Sequence, residues 1–97
     1  MKAVMIIIDQ AHYDEIVENL SRLNIRGFTS WKEVFGRGSK TGEPHYGTHA
    51  WPSLNNAIFT VVEDNRVPPL LKFLEKLDAE AENLGLRAFV WNIEDMI

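Results

Sequence analysis

Residues 3–8 read AVMIII and residues 57–63 read AIFTVVE, and these two runs decide the fold. Both are apolar and rich in β-branched side chains, which is typical of strands inside a sheet. The first run is continuous and ends at Asp9, as expected of a buried central strand. The two runs therefore predict the inner strands of one sheet.

Two helical segments follow these runs along the chain. Residues 14–23 repeat apolar side chains three to four positions apart, which predicts an amphipathic helix that ends at Asn24. A second stripe, made mostly of leucines, predicts a helix that Asp64 and Asn65 cap, with prolines in its first turn. Gly85 is expected to end this helix in a left-handed conformation.

Two further strands complete the pattern, at residues 27–34 (GFTSWKEV) and 86–92 (LRAFVWN). The order strand, helix, strand, strand, helix, strand predicts a ferredoxin-like βαββαβ fold of the α+β class. In this fold a four-stranded antiparallel sheet carries both helices on one face. At this length we expect residues 1–97 to form a single domain.

The composition excludes several classes of function. A formal net charge of −4 argues against a general affinity for nucleic acid or for anionic membrane surfaces. The sequence has no cysteine, which excludes disulfides, thiolate metal sites and cysteine nucleophiles. The apolar run at residues 3–8 is too short for a signal peptide core or a membrane span. We therefore expect a cytoplasmic protein without membrane insertion.

The strands carry more large apolar side chains than one covered sheet face needs. Since both helices cover the same face, the surplus predicts an apolar surface that a symmetric homo-oligomer buries. The three tryptophans are interpreted as core or interface anchors rather than as stacking partners for a purine. The residues concerned are Phe28, Trp31, Phe59, Phe89 and Trp91, together with Trp51 in the loop.

Residues 35–52, FGRGSKTGEPHYGTHAWP, form a long glycine-punctuated connection between two predicted strands. Connections of this length in small domains usually have a function, and binding residues concentrate on such loops. Glycine backbone amides beside cationic side chains suit phosphate or carboxylate groups, although the glycines alone also permit tight turns. The candidate anion-binding residues here are Gly36, Arg37, Gly38 and Lys40, with Gly42 nearby.

The same loop offers an alternative site for a divalent transition metal. Glu43, His45 and His49 carry ligand types that zinc, copper or nickel accept. The alternative interpretation is that these residues are polar loop residues that bond the backbone. No serine has the context of a nucleophile, so we do not expect an enzyme.

Several segments resemble the nitrogen-regulatory PII signal-transduction superfamily in a short form. The opening strand MKAVMIII, the turn IRGFT at residues 25–29, the VFGRG segment at residues 34–38 and the strand AFVW at residues 88–91 carry the resemblance. Arg87 stands where the family has a basic ligand-contacting residue. The chain departs from the family in its shorter T-loop and in the segment before the last strand, which has one glycine instead of a glycine-rich phosphate loop.

The resemblance implies a homotrimer that binds a small-molecule effector, such as ATP, ADP or AMP, in clefts between subunits. It also implies that residues 36–52 regulate a protein target, either a transporter or a protein of nitrogen metabolism. A metal-binding relative of the CutA type is the alternative that the related fold implies. The positions that the resemblance assigns to the cleft are Gly27, Thr29, Gly36, Arg37, Gly38 and Arg87.

Overall fold

The computed structural model of the chain describes residues 1–50, 53–81 and 84–97. Its elements follow the predicted order, with a short 3₁₀ turn before each helix, at Gln10–His12 and Asp64–Arg66. The strands and helices are β1 (Lys2–Asp9), α1 (Tyr13–Arg22), β2 (Thr29–Val34), β3 (Asn55–Val62), α2 (Val67–Glu80) and β4 (Arg87–Asn92).

The four strands form one antiparallel sheet in the order β2-β3-β1-β4. The predicted inner strands, β1 and β3, are the two central ones, and Met5 of β1 lies opposite Phe59 of β3 and Phe89 of β4. The ferredoxin-like α+β fold predicted from the sequence is thus confirmed.

The hydrophobic core lies between the sheet and the two helices. Alternate side chains of β1, Val4, Ile6 and Ile8, are fully buried on this side of the sheet, as the strand period of two requires. The helices contribute their apolar stripes, and two leucines of the connection to β4 complete the core. These helix and connection residues are Ile16, Leu20, Leu70, Leu74, Leu77, Leu84 and Leu86.

Helix α2 differs from the prediction at both ends. It ends at Glu80, and Ala81 is already extended, so Gly85 is not its cap. Gly85 does have a positive φ of 62°, but within the connection to β4. At the start of the helix no side chain caps the first turn, and Asp64 instead pairs with the amino group of Met1 at 3.1 Å. Asn24, with a φ of 59°, ends α1 as predicted.

Strand β2 is not regular over residues 27–34 as predicted. Pairing with β3 begins at Thr29, and a β-bulge inserts one extra residue between Trp31 and Val34. The extra residue, Glu33, has a φ of 60°, and its backbone N–H donates to Oδ1 of Asn56 at 3.0 Å. Because one inserted residue reverses the side of all later side chains, Val34 points away from the helices.

The sheet face opposite the helices is largely uncovered, and we call it the open face. By register it carries Met5, Ile7, Trp31, Ala57, Phe59, Arg87, Phe89 and Trp91. Trp31, Phe89 and Trp91 are each close to half exposed. Phe28 was expected on this face as well, but it precedes β2 and lies beside Val17 and Ser21 of α1. Trp51 and Pro52 lie outside the described residues.

Within the described part of the chain, neither helix has the length and apolar character needed to cross a membrane.

Candidate functional site

A cavity of about 500 Å³ lies where the open face meets the base of the β2–β3 loop. Apolar and aromatic side chains form most of its lining, and two guanidinium groups and one amide supply polar atoms. The lining residues that matter here are Met5, Ile7, Trp31, Phe35, Gly36, Arg37, Gly38, Asn55, Gly85, Arg87 and Phe89.

The bulge in β2 directs the start of the loop toward this cavity. In a regular strand Val34 would point to the helix side of the sheet. Ser30 does point to that side, where its hydroxyl hydrogen-bonds the hydroxyl of Tyr13. With the extra residue Glu33 inserted, Val34 lines the cavity and Arg37 reaches its rim. The bulge therefore aims the loop base at the site.

Backbone hydrogen bonds close the loop into a defined shape. Gly36 and His45 pair in both directions, with N–O distances of 2.9 and 2.7 Å. The N–H of Gly47 donates to the carbonyl of Ser53 at 3.0 Å, and Leu54 O accepts from Gln10 N at 2.9 Å. The loop is thus anchored at its two ends and across its middle.

Two glycines allow the loop base to contact the segment that precedes β4. A Cβ atom on Gly38 would lie 3.1 Å from Cα of Gly85, so the two backbones touch. This contact brings Arg37 of the loop and Arg87 of β4 to the same cavity. Among the described residues of the lining, the two arginines are the only charged side chains.

His45 lies buried behind the cavity wall, at 1% exposure. Its Nδ1 is 2.5 Å from Oδ1 of Asn55 and 3.5 Å from Oδ2 of Asp9. Its ring also packs against Gly85, where a Cβ would lie 3.3 Å from Cε1. His45 thus links the loop to β1, β3 and the connection to β4.

The structure brings four of the seven predicted anion-binding residues together: Gly36, Arg37, Gly38 and Arg87 line the cavity. Gly27 and Thr29 lie at the opposite end of β2, and Gly27 lines a different, polar cavity of about 240 Å³. Lys40 is exposed on the loop and does not belong to the lining.

Sequence reasoning missed Asn55 as a residue of the cavity wall. Asn55 is 1% exposed, although it stands with Asn56 at the start of a strand that is mostly apolar. A pair of asparagines entering a buried strand is the signal that was available, because buried amides need hydrogen-bond partners.

The structure does not assemble the predicted metal set. His45 is buried against Asn55, whereas Glu43 and His49 are exposed on the loop. In residues 1–50, 53–81 and 84–97 no three His, Cys, Asp or Glu side chains form a group that could hold a metal ion.

The sheet, the open face and the arginine-lined cavity beside a long loop define a ferredoxin-like domain with a pocket at the loop base. The family model of the nitrogen regulatory protein P-II matches residues 1–97. The chain belongs to this family of signal-transduction proteins, and the resemblance noted in the sequence is confirmed. No curated protein sequence matches the chain.

Known structures of PII-like proteins are similar to this chain. The apo form of CPII from Thiomonas intermedia is 23% identical, with a TM-score of 0.72 over 95% of this chain and 87% of CPII. CPII bound to ADP, AMP and bicarbonate is 24% identical, with a TM-score of 0.72 over 92% of this chain and 86% of CPII. A PII-like signaling protein from Thermus thermophilus is 23% identical, with a TM-score of 0.69 over 95% of this chain and 85% of that protein. At these identities the similarity establishes the fold.

Proposed function

We propose that this chain is a homotrimeric PII-type regulator that binds a small anionic effector at the loop-base cavity. The effector is an adenine nucleotide. Bicarbonate is a second anion that the same two arginines, Arg37 and Arg87, accept. Effector binding changes the conformation of residues 36–52, which then act on a protein target such as a transporter or a protein of nitrogen metabolism.

The observation that carries this proposal is the composition of the cavity wall. Trp31 and Phe89 offer aromatic surface for a planar base, and Arg37 and Arg87 offer two guanidinium groups for phosphate or carboxylate. Among the described residues neither guanidinium is paired with a carboxylate. The CPII complex with ADP, AMP and bicarbonate supports this choice of effectors.

The open face supports assembly into a trimer. Its half-exposed aromatic side chains form an apolar surface that a symmetric contact would bury. Gly27 and Thr29 do not line the cavity of their own chain, although Trp31, two residues further along β2, does. In the proposed trimer Gly27 and Thr29 contact the effector bound to a neighbouring copy.

The same wall favours binding over catalysis. The described lining residues include no Ser, Cys, His, Lys, Asp, Glu or Tyr, the residue types that act as nucleophiles or as general acids and bases. We therefore propose that the protein reads the concentration of its effector without converting it.

The test is calorimetric titration of the purified protein with ADP, AMP, ATP and sodium bicarbonate. Replacing Arg37 or Arg87 by Ala removes charge-assisted hydrogen bonds and is expected to weaken nucleotide binding by about 10- to 100-fold. Arg22→Ala is the matched control, because Arg22 pairs with Glu18 on α1, away from the cavity. If none of these ligands binds the wild-type protein, the proposed effector is wrong.

Light scattering after gel filtration tests the assembly. We expect a mass of three times the 11.1 kDa of one chain. Phe89→Glu, which places a charge on the open face, should give a monomer. A wild-type monomer at micromolar concentration would contradict the trimer.

A further inference from the structure

We infer that Asn55 contacts the effector through its side-chain amino group and that His45 is the positioning residue that orients this amide. The inference rests on the proposed function, since its ligand is the effector of the loop-base cavity. It adds a binding residue on β3 and a link from the loop to that residue.

The surroundings of His45 determine where its proton lies. Nδ1 faces two oxygen atoms, Oδ1 of Asn55 at 2.5 Å and Oδ2 of Asp9 at 3.5 Å. An amide oxygen and an ionised carboxylate oxygen only accept hydrogen bonds. Nδ1 must therefore carry the proton and donate it.

Asp9 is itself held in place, so it can direct the imidazole. Its Oδ1 accepts from the N–H of Ala11 at 2.8 Å, and its own N–H donates to Leu84 O at 2.9 Å. In the sheet register Asp9 lies directly opposite Asn55. The carboxylate at the end of β1 thus fixes the imidazole, and the imidazole fixes the amide at the start of β3.

The orientation of the amide follows from this arrangement. Since Oδ1 of Asn55 accepts from His45, Nδ2 must point to the other side. Nδ2 lies beside Gly36, where a Cβ atom would be only 3.0 Å away, and both residues line the cavity. Nδ2 makes no hydrogen bond with a described residue. Asn55 therefore presents a donor to the cavity, which suits a phosphate, carboxylate or bicarbonate oxygen.

The arrangement also connects the effector to the loop. His45 belongs to the loop and pairs its backbone with Gly36, while its side chain orients Asn55. A loop conformation that withdraws His45 would break both contacts and leave the Asn55 amide free to rotate. Effector binding at Nδ2 therefore stabilises the loop conformation in which His45 is docked.

Two measurements on the wild-type protein need no variant in the binding site. Long-range ¹H–¹⁵N correlation spectra report the tautomer of each histidine ring, and we expect His45 to carry its proton on Nδ1. A proton on Nε2 alone would overturn the inference. Saturation with ADP should shift the side-chain NH₂ signals of Asn55, and unchanged signals in the ADP complex would also overturn it.

Titration of ADP into paired variants tests the role of Asn55. Asn55→Asp keeps the size of the side chain but replaces the donor with a negative oxygen, and we expect about 10- to 100-fold weaker binding. Asn92→Asp is the matched control, since Asn92 lies at the end of β4, where its Oδ1 accepts from Nζ of Lys2, and it does not line the cavity. We expect it to weaken binding by less than about 3-fold, because its added charge lies outside the cavity.

The role of His45 is tested by removal and rescue. His45→Leu removes the donor to Asn55 and is expected to weaken ADP binding by about 10-fold. His45→Asn retains an N–H near the position of Nδ1 and should restore most of the affinity, while both variants lose imidazole packing. Equal losses in the two variants would show that His45 acts only through packing.

The outcomes separate this inference from the proposed function. If wild-type protein binds neither ADP nor AMP, the proposed function fails first. If wild-type protein binds ADP and Asn55→Asp binds equally well, or no more weakly than Asn92→Asp, the proposed function stands and the inference is wrong.

Discussion

Gly85 is the position where a single methyl group should perturb the cavity wall most clearly. Its φ of 62° lies in the left-handed region, and a Cβ there would stand 3.3 Å from Cε1 and 3.5 Å from Nδ1 of His45. Gly85→Ala therefore combines backbone strain with pressure on a buried imidazole.

The two contributions can be estimated separately. A left-handed conformation costs an L-residue about 1–2 kcal/mol. The contact of the new Cβ with His45 is tighter than usual and adds to this cost. Alanine also reduces the conformational freedom of the unfolded chain, which offsets about 0.4–1 kcal/mol of the destabilisation. We expect a net loss of about 1 kcal/mol, which for a domain of this size lowers the melting temperature by about 4–8 °C.

Thermal unfolding of wild type and Gly85→Ala at equal protein concentration measures this loss, because assembly makes melting concentration-dependent. Gly27→Ala is the matched control, since a Cβ there meets no atom within 4 Å and Gly27 has no positive φ. If the two variants melt at the same temperature, the strain assigned to Gly85 is absent.

Two further predictions concern the bulge and the chain start. Glu33→Gly should raise the free energy of unfolding by up to about 1 kcal/mol, because glycine adopts the φ of 60° without strain. Urea unfolding measures this change, and a lower free energy of unfolding in the variant would contradict the prediction. The hydrogen bond from the amino group of Met1 lowers the pKa of Asp64. The pKa of Asp64 is lower in the folded protein than in the unfolded chain, so the Met1–Asp64 pair stabilises the folded protein at pH values above the unfolded pKa. This stabilisation is lost as the pH falls through the folded pKa. Acetylating the N-terminus should raise the pKa of Asp64 in an NMR titration; an unchanged pKa would exclude the pairing.

The fold could be predicted because its main signals are local. The β-branched runs of β1 and β3 and the apolar stripes of the helices each lie within a short window of sequence. The end of α2 could not be predicted in this way. Leu84 follows Leu77 by seven residues, a spacing that continues a helical stripe. Only the tertiary structure, in which Leu84 O accepts from the N–H of Asp9 on β1, shows that Leu84 lies outside the helix.

The bulge was equally hidden from sequence reasoning. Glycine and asparagine are the usual residues at positive φ, and Glu33 is neither. What holds Glu33 is the buried amide of Asn56, a residue 23 positions away. The direction of the loop base therefore depends on a contact that no local pattern reports.

The lining of the cavity was predictable where backbone freedom and charge stand next to each other in the chain. Gly36, Arg37 and Gly38 are consecutive, and Arg87 was added by the family resemblance. The role of His45 was not predictable, because the sequence offered it only as a metal ligand with Glu43 and His49 or as a polar loop residue that bonds the backbone. Its contacts with Asp9 and Asn55 exist only after β1 and β3 have paired.

The cavity shares residues with both surfaces that a PII-type regulator uses. Trp31 and Phe89 belong to the open face and also line the cavity, while Gly36 and Arg37 begin the loop. In the proposed trimer, burial of the open face would enclose the cavity and lower the local dielectric constant. The attraction between the arginines and an anion then strengthens, because Coulomb interactions grow as water is excluded. By linkage, an effector that binds the trimer more tightly than the monomer also stabilises the trimer. Effector binding, assembly and loop conformation would then be coupled through one cavity wall.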